Sequence, residues 1–170
     1  MRESIVHPLE PFYDKDSKIL ILGTMPSPKS RETGFYYGHP QNRFWPVLAA
    51  VFGEAVPGAN PDKKDFLRRH HIALWDVLMS CDIRGAQDSS IRNPQANDLK
   101  RILSVAKIRR IYTTGTRAAA LYQRYCAAET GMPAVCLPST SAANGARYTF
   151  RDLVEAYGVI LKEIEMDETK

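Results

Sequence analysis

The strongest constraint on this chain sits near its start. Ile19, Leu20, Ile21 and Leu22 form an unbroken apolar run, and Gly23, Thr24, Met25, Pro26 and Ser27 follow directly. Four β-compatible residues with no polar alternation predict a strand covered on both faces, the situation of a strand inside a parallel sheet. Gly23 permits a tight exit, and Pro26 and Pro28 keep a helix from starting at once. In an open α/β sheet, ligands bind outside the carboxyl ends of the strands. The polar residues after residue 22 therefore fall where such a fold does its chemistry.

The rest of the chain fits the same plan. Residues 1–17 read as an irregular lead-in. Residues 24–40 read as a long loop, and loops above ~12–15 residues are uncommon in compact domains unless functional. Phe44, Trp45, Leu48, Val51 and Phe52 recur at helical spacing, with Pro46 in the first turn and Gly53 as the stop. Asn60 followed by Pro61 marks another helix start, and that helix ends near His70 and His71. Residues 72–77 predict a second strand, 80–97 a second long polar loop, 97–106 a helix and 109–114 a third strand closed by Gly115. Thr116 caps a helix over 117–127, and Gly131 and Pro133 turn the chain into a fourth strand, 134–137. A third polar loop spans 138–145, and the last helix spans 148–164, ahead of an acidic tail. Strands alternating with helices predict an α/β fold with a parallel sheet and right-handed crossovers. The length predicts a single domain over residues 1–170.

Composition excludes several classes. No apolar stretch approaches the ~20 residues of a membrane helix, and the first residues lack the apolar core of a signal peptide. The cysteines, Cys81, Cys126 and Cys136, are odd in number and lack metal-like spacing, so they read as reduced thiols of a cytoplasmic protein, expected to be a monomer. The net charge of +4 permits a nucleic-acid partner without requiring one. There is no Gly-x-Gly-x-x-Gly after the first strand, no Walker-type loop, no His-Glu-x-x-His and no Gly-x-Ser-x-Gly. Neither a metal nor a cofactor is expected.

The groups left to carry chemistry are mostly neutral: Thr24, Ser27, Asn42, Ser139, Ser141 and Asn144, with His39 and the aromatics Phe35, Tyr36 and Tyr37. They suit a heterocycle, since an amide offers donors and an acceptor and an aromatic ring stacks on a flat base. Each has a plainer role. Asn42 reads as a helix cap or as a catalyst, capping being the commoner fate. His39 suits a loop histidine bonded to backbone, Phe44 and Trp45 suit the core, and Ser139, Thr140 and Ser141 suit a turn. Asp76 and Asp88 are candidate carboxylates, or else a strand-end cap and a loop residue.

Three stretches together carry a resemblance: Gly23, Thr24, Met25, Pro26 and Ser27; then Gly34, Phe35, Tyr36, Tyr37, Gly38, His39, Pro40, Gln41, Asn42, Arg43, Phe44 and Trp45; then Leu137, Pro138, Ser139, Thr140 and Ser141. In this order they resemble the uracil-DNA glycosylase superfamily, and most of all its hypoxanthine-DNA (deoxyinosine) glycosylase branch, with the mismatch-specific uracil glycosylases as near relatives. The resemblance implies a three-layer α/β/α fold around a short four-stranded parallel sheet. It implies hydrolysis of the N-glycosidic bond of a deaminated base in double-stranded DNA, with no metal, cofactor or covalent intermediate.

The same resemblance distributes the roles. In the mismatch-specific relatives the first motif carries an Asn that positions water, and here Met25 stands at that place. In the hypoxanthine branch the role passes to Asn42. Tyr37 takes the base-stacking place and Tyr36 the pocket wall. Gly23, Thr24, Met25, Pro26 and Ser139 border the base. Ser27, Lys29, Ser141, Asn144 and Arg147, with Arg117, are expected to meet DNA, the loop over 139–145 entering the minor groove. Two alternatives stand beside this reading: a uracil- or mismatch-preferring DNA glycosylase, and a catalytically impaired damaged-DNA-binding relative, motivated by Met25. A third, a small-molecule α/β domain, would show no salt-dependent affinity for DNA.

Overall fold

The computed structural model describes residues 3–7, 9–84 and 87–166. In chain order the first elements are β1 (Glu3–Val6), β2 (Ile19–Gly23), α1 (Pro28–Thr33), α2 (Phe44–Phe52), α3 (Asn60–Arg69) and β3 (Ile72–Asp76). Next come β4 (Leu78–Arg84), β5 (Gln87–Ala96), α4 (Lys100–Leu103), β6 (Arg110–Thr114), α5 (Thr116–Tyr125) and α6 (Ala127–Thr130). The chain ends with β7 (Ala134–Leu137), a 3-10 turn at Ala142–Asn144 and α7 (Phe150–Glu165).

Four strands form a parallel sheet in the order β3-β2-β6-β7. Every residue of β2 and of β3 is buried. An apolar strand buried at every position needs cover on both faces, and helices supply it: α3 lies against β3, and α5 against β6 and β7. The architecture is the expected three-layer α/β/α. Burying each of Ile19, Leu20, Ile21 and Leu22 contributes roughly 1.5–3 kcal/mol. That burial is what fixes Gly23 at the carboxyl edge of the sheet. Helix α2 packs on α7, which buries Leu153, Tyr157, Ile160 and Ile164 along one stripe. Thr149 caps α7: its hydroxyl accepts from the Asp152 N–H while the Asp152 carboxylate accepts from the Thr149 N–H. No helix of the described residues is long and apolar enough to cross a membrane.

Three stretches differ most from the expectations. The lead-in is partly ordered: β1 pairs antiparallel with β4, and Phe12 bridges to Leu74. The expected loop over 80–97 is instead most of the β4–β5 hairpin, in a second, antiparallel sheet of order β1-β4-β5. Its pairing carries three register shifts, and Asn93 has φ 52°. Each shift breaks the alternation that marks a strand in sequence. Pro94 is tolerated because β5 is an edge strand. The loop over 24–40 contains α1, which begins at Pro28. A proline that cannot continue a helix is well suited to start one, because the N–H it lacks has no partner in the first turn anyway. The cap of α3 is Ala59 and not Asn60, and α4 stops at Leu103. Residues 167–170 of the acidic tail lie outside the described residues.

Candidate active site

Because the sheet is parallel, the strand ends carrying Gly23, Asp76, Thr114 and Leu137 share one edge. A cavity of about 170 Å³ opens there. Its base is built by registry: Gly23 on β2 pairs with Asp76 on β3. A methyl group placed on Gly23 would lie 2.5 Å from Asp76 Oδ1 and 3.3 Å from the Tyr37 hydroxyl. The absent side chain is therefore what lets the carboxylate and the phenol converge.

Asp76 is 3% exposed. Its Oδ2 lies 2.8 Å from His7 Nε2, and His7 Nδ1 accepts from the Leu9 N–H at 3.2 Å. A ring nitrogen that accepts carries no proton, so the His7 proton sits on Nε2 and is donated to Asp76. The other carboxylate oxygen, Oδ1, stays on the Gly23 side.

The loop between α1 and α2 is held by its own polar groups. Ser27 caps α1 by accepting from the Ser30 N–H, and the Ser30 hydroxyl accepts from Gly38 N–H at 2.9 Å. Tyr36 is anchored twice: its hydroxyl donates to the Glu10 carbonyl and its own carbonyl accepts from Trp45 Nε1. Tyr37 has φ 55°, a left-handed conformation that a bulky residue rarely adopts. Its ring stacks on Phe44 at 3.8 Å between centroids and 13° between planes. Its hydroxyl lies 3.3 Å from Thr114 Oγ1. Burial, and then the nearby Asp76 charge, hold the Tyr37 phenol above its usual range, and the same two causes act on Tyr36. Both rings stay neutral donors at physiological pH.

Asn42 faces the loop after β7. Its Oδ1 accepts from Phe44 N–H at 2.9 Å and from the Thr140 hydroxyl at 2.7 Å. Arg43 N–H donates to the Thr140 carbonyl at 3.0 Å, and Arg43 Nη1 donates to the Tyr148 carbonyl at 2.7 Å. Asn144 Nδ2 donates to the Ser139 carbonyl, and the Tyr157 hydroxyl donates to the Pro138 carbonyl. The start of α2 and the loop over 138–149 are thus stitched into one wall.

The cavity lining brings together Gly23, Thr24, Met25, Pro26, Ser27, Tyr37, Asn42, Ser139 and Ser141, with Tyr36 as a wall. Lys29, Asn144 and Arg147 are not among the lining residues. Lys29 Nζ pairs with Glu32 at 3.3 Å, and Arg147 is exposed at the loop end. Arg117 is exposed in the first turn of α5. His39 is a loop residue whose Nδ1 accepts from the Gln41 N–H, as its plainer reading expects. The side chain of Asp88 lies outside the described residues. Four lining residues escaped the sequence reading: Ser30, Arg31, Ile83 and Thr114. Arg31 brings a guanidinium to the cavity, with its Nε buried and unbonded among the described residues. Only α1, hidden by its prolines, would have revealed that Arg31 lies one turn beyond Ser27.

The model of the uracil DNA glycosylase superfamily matches residues 10–160. The chain belongs to this superfamily. Within it, the chain is 33% identical over 132 residues to a hypoxanthine DNA glycosylase of Methanosarcina acetivorans, covering 77% of this chain and 83% of that protein. It is 34% identical over 97 residues to a hypoxanthine DNA glycosylase of Methanosarcina barkeri, covering 56% of this chain and 61% of that one. A solution NMR structure from Methanosarcina acetivorans, described as a candidate uracil DNA glycosylase, has a TM-score of 0.75 and 30% identity, and covers 90% of this chain and 96% of its own. In this superfamily member Met25 lines the cavity with a thioether, which cannot donate a hydrogen bond and accepts one only weakly. Arg31, Asn42, Asp76 and the hydroxyls are the side chains there with stronger polar chemistry.

Proposed function

We propose that this member of the superfamily is a DNA glycosylase that hydrolyses the N-glycosidic bond of a deaminated base, hypoxanthine first, after the nucleotide has flipped out of the duplex. Superfamily membership supports the reaction class, and the names of the two relatives support the base. The observation that carries the reading is Asp76 Oδ1 at the base of the cavity beside Gly23. An ionised carboxylate only accepts hydrogen bonds. Hypoxanthine and uracil present a ring N–H on the Watson–Crick edge where adenine and cytosine present a lone pair. A flipped base is read on that edge, so a carboxylate facing the ring nitrogen accepts from the deaminated base and meets a lone pair in its parent. The size agrees: about 170 Å³ is well below the ~300–1,000 Å³ of drug-sized sites and suits a single ring system.

The steps follow from the wall. Flipping costs a few kcal/mol, least for a weakened pair. The base slides along Tyr37, whose other face is backed by Phe44. The N–H groups of Thr24 and Met25 donate to no backbone carbonyl among the described residues. They are free to donate to a base carbonyl and to charge developing on it, as in an oxyanion hole. The C1′–N bond breaks with its electron pair leaving on the base. Water then bonds to C1′ and gives its proton to solvent, and the base anion takes a proton from solvent. Asn42 lines the cavity and acts on the reacting atoms. Among the described residues no lysine lines the cavity, which supports a monofunctional hydrolase. Basic groups outside the cavity, Lys29, Arg117 and Arg147, meet phosphates and position the duplex.

The test is a panel of duplexes carrying hypoxanthine, xanthine, uracil or undamaged adenine, read by abasic-site formation. The expected order places hypoxanthine first and leaves adenine intact. Binding of all four duplexes with no abasic site from any would overturn the reading and make the protein a damaged-DNA binder. A faster reaction on uracil than on hypoxanthine would make it the uracil-preferring kind.

A further inference from the structure

The orientation of the Asn42 amide is fixed by its partners. Phe44 N–H can only donate, so the atom facing it at 2.9 Å is the amide oxygen. The Thr140 hydroxyl, 2.7 Å from that same oxygen, is then also a donor. Thr140 is 1% exposed, and its own carbonyl is tied to Arg43 N–H. Both lone pairs of Asn42 Oδ1 are thereby taken inside the protein. The Nδ2 group makes no hydrogen bond among the described residues, and Asn42 lines the cavity. What this residue offers to a bound nucleotide is a pair of N–H donors.

We propose that Asn42 acts on the reacting atoms as an amide donor, locked in that orientation by the Thr140 hydroxyl, and not as an acceptor that draws a proton from water. Thr140 is a positioning residue, assigned here from the contact between the start of α2 and the loop after β7. The proposal rests on the glycosylase reading above. A donor fits the electron flow of that reaction. The pair from the broken C1′–N bond accumulates on the departing base, and an N–H aimed there lowers the barrier without transferring its proton. Water attacks a cationic sugar and needs little help losing its proton. An acceptor would aid only that second event.

Two substitutions separate donor from acceptor, both read as the single-turnover rate at saturating enzyme, so that weaker DNA binding does not count. In Asn42→Asp the carboxylate keeps both inward acceptor bonds and suits a helix start, so the protein folds. It has lost both donors and gained basicity. The donor account expects excision to fall about 100-fold or more, as for loss of an oxyanion-hole donor, to the level of Asn42→Ala. A rate at or above wild type would overturn it, since an acceptor would be improved by the negative charge. Thr140→Val keeps the shape of the buried side chain and removes the hydroxyl. The expected result is a rate lower by about tenfold, roughly the worth of one uncharged hydrogen bond, with duplex affinity unchanged and Thr140→Ser restoring the rate. A wild-type rate in Thr140→Val, or a loss that Thr140→Ser shares, would overturn the positioning role. These outcomes are distinct from failure of the glycosylase reading, in which the wild-type protein itself makes no abasic site.

Discussion

Adding one methyl group at Gly23 tests how the cavity base is built. The new carbon would stand 2.5 Å from Asp76 Oδ1, 3.3 Å from the Tyr37 hydroxyl and 3.5 Å from Thr114 Oγ1. Gly23 does not have a positive φ, so alanine strains no backbone and the whole effect is crowding. To reach ordinary contact the carboxylate must retreat by about 1 Å. It is not free to do so, because Oδ2 is bonded to His7 and both side chains are almost fully enclosed. Overpacking of this kind costs about 1–3 kcal/mol, a fall in Tm of roughly 2–12 °C for a chain of this size. A displacement of about 1 Å in an active site costs about 100-fold in rate. Thermal unfolding and single-turnover excision from a hypoxanthine duplex, measured on Gly23→Ala, should show both losses. Wild-type Tm together with wild-type rate would refute the convergence of Asp76 and Tyr37 over Gly23.

Other expectations are as concrete. Thr149→Ala removes the cap of α7 and should lower stability by about 1 kcal/mol in urea unfolding, without changing the excision rate. Tyr157→Phe removes the partner of the part-buried Pro138 carbonyl and should cost about 0.5–1.5 kcal/mol; an unchanged urea midpoint would deny that this bond holds the loop. Burial raises the phenols of Tyr36, Tyr37 and Tyr157 above their ordinary value and pushes Tyr112 up to about 12. Their contribution is intact below pH ~10, where folded and unfolded chains are both protonated. Above it the unfolded chain loses protons that the folded one keeps, so stability should fall as pH rises; a flat urea midpoint from pH 9 to 11 would contradict this. Arg147→Ala should flatten the dependence of log affinity on log salt by about 0.9 if that side chain neutralises one phosphate, with no change in the single-turnover rate.

The sequence made the sheet legible because β2 and β6 carry the signals that the physics requires: a two-sided apolar strand and a glycine exit. The resemblance added what spacing could not. By spacing alone Asn42 is a helix cap, but the cap position of α2 is Arg43, and Asn42 stands one residue before it with its Oδ1 accepting from Phe44 N–H. The group that holds the helix start and the cavity-lining group are one side chain with its two ends used differently. The hairpin β4–β5 was hidden because its register shifts scramble the alternation, so Ile83 was lost from the lining. Helix α1 was hidden by a proline that starts it, and Arg31 went with it. His7 had no local signal at all, and Thr140 was legible only as a turn residue inside the third stretch. Each matters through a partner more than sixty residues away, His7 through Asp76 and Thr140 through Asn42, and such pairings belong to topology.

The most direct test of the account is single-turnover excision of hypoxanthine from a duplex by wild-type protein and by Asn42→Ala, with duplex affinity and urea unfolding measured on both. The account predicts abasic sites from the wild type, and from Asn42→Ala a loss of about 100-fold or more with affinity and fold retained. Equal rates from the two proteins would contradict the role given to Asn42, and abasic sites from neither would contradict the activity itself.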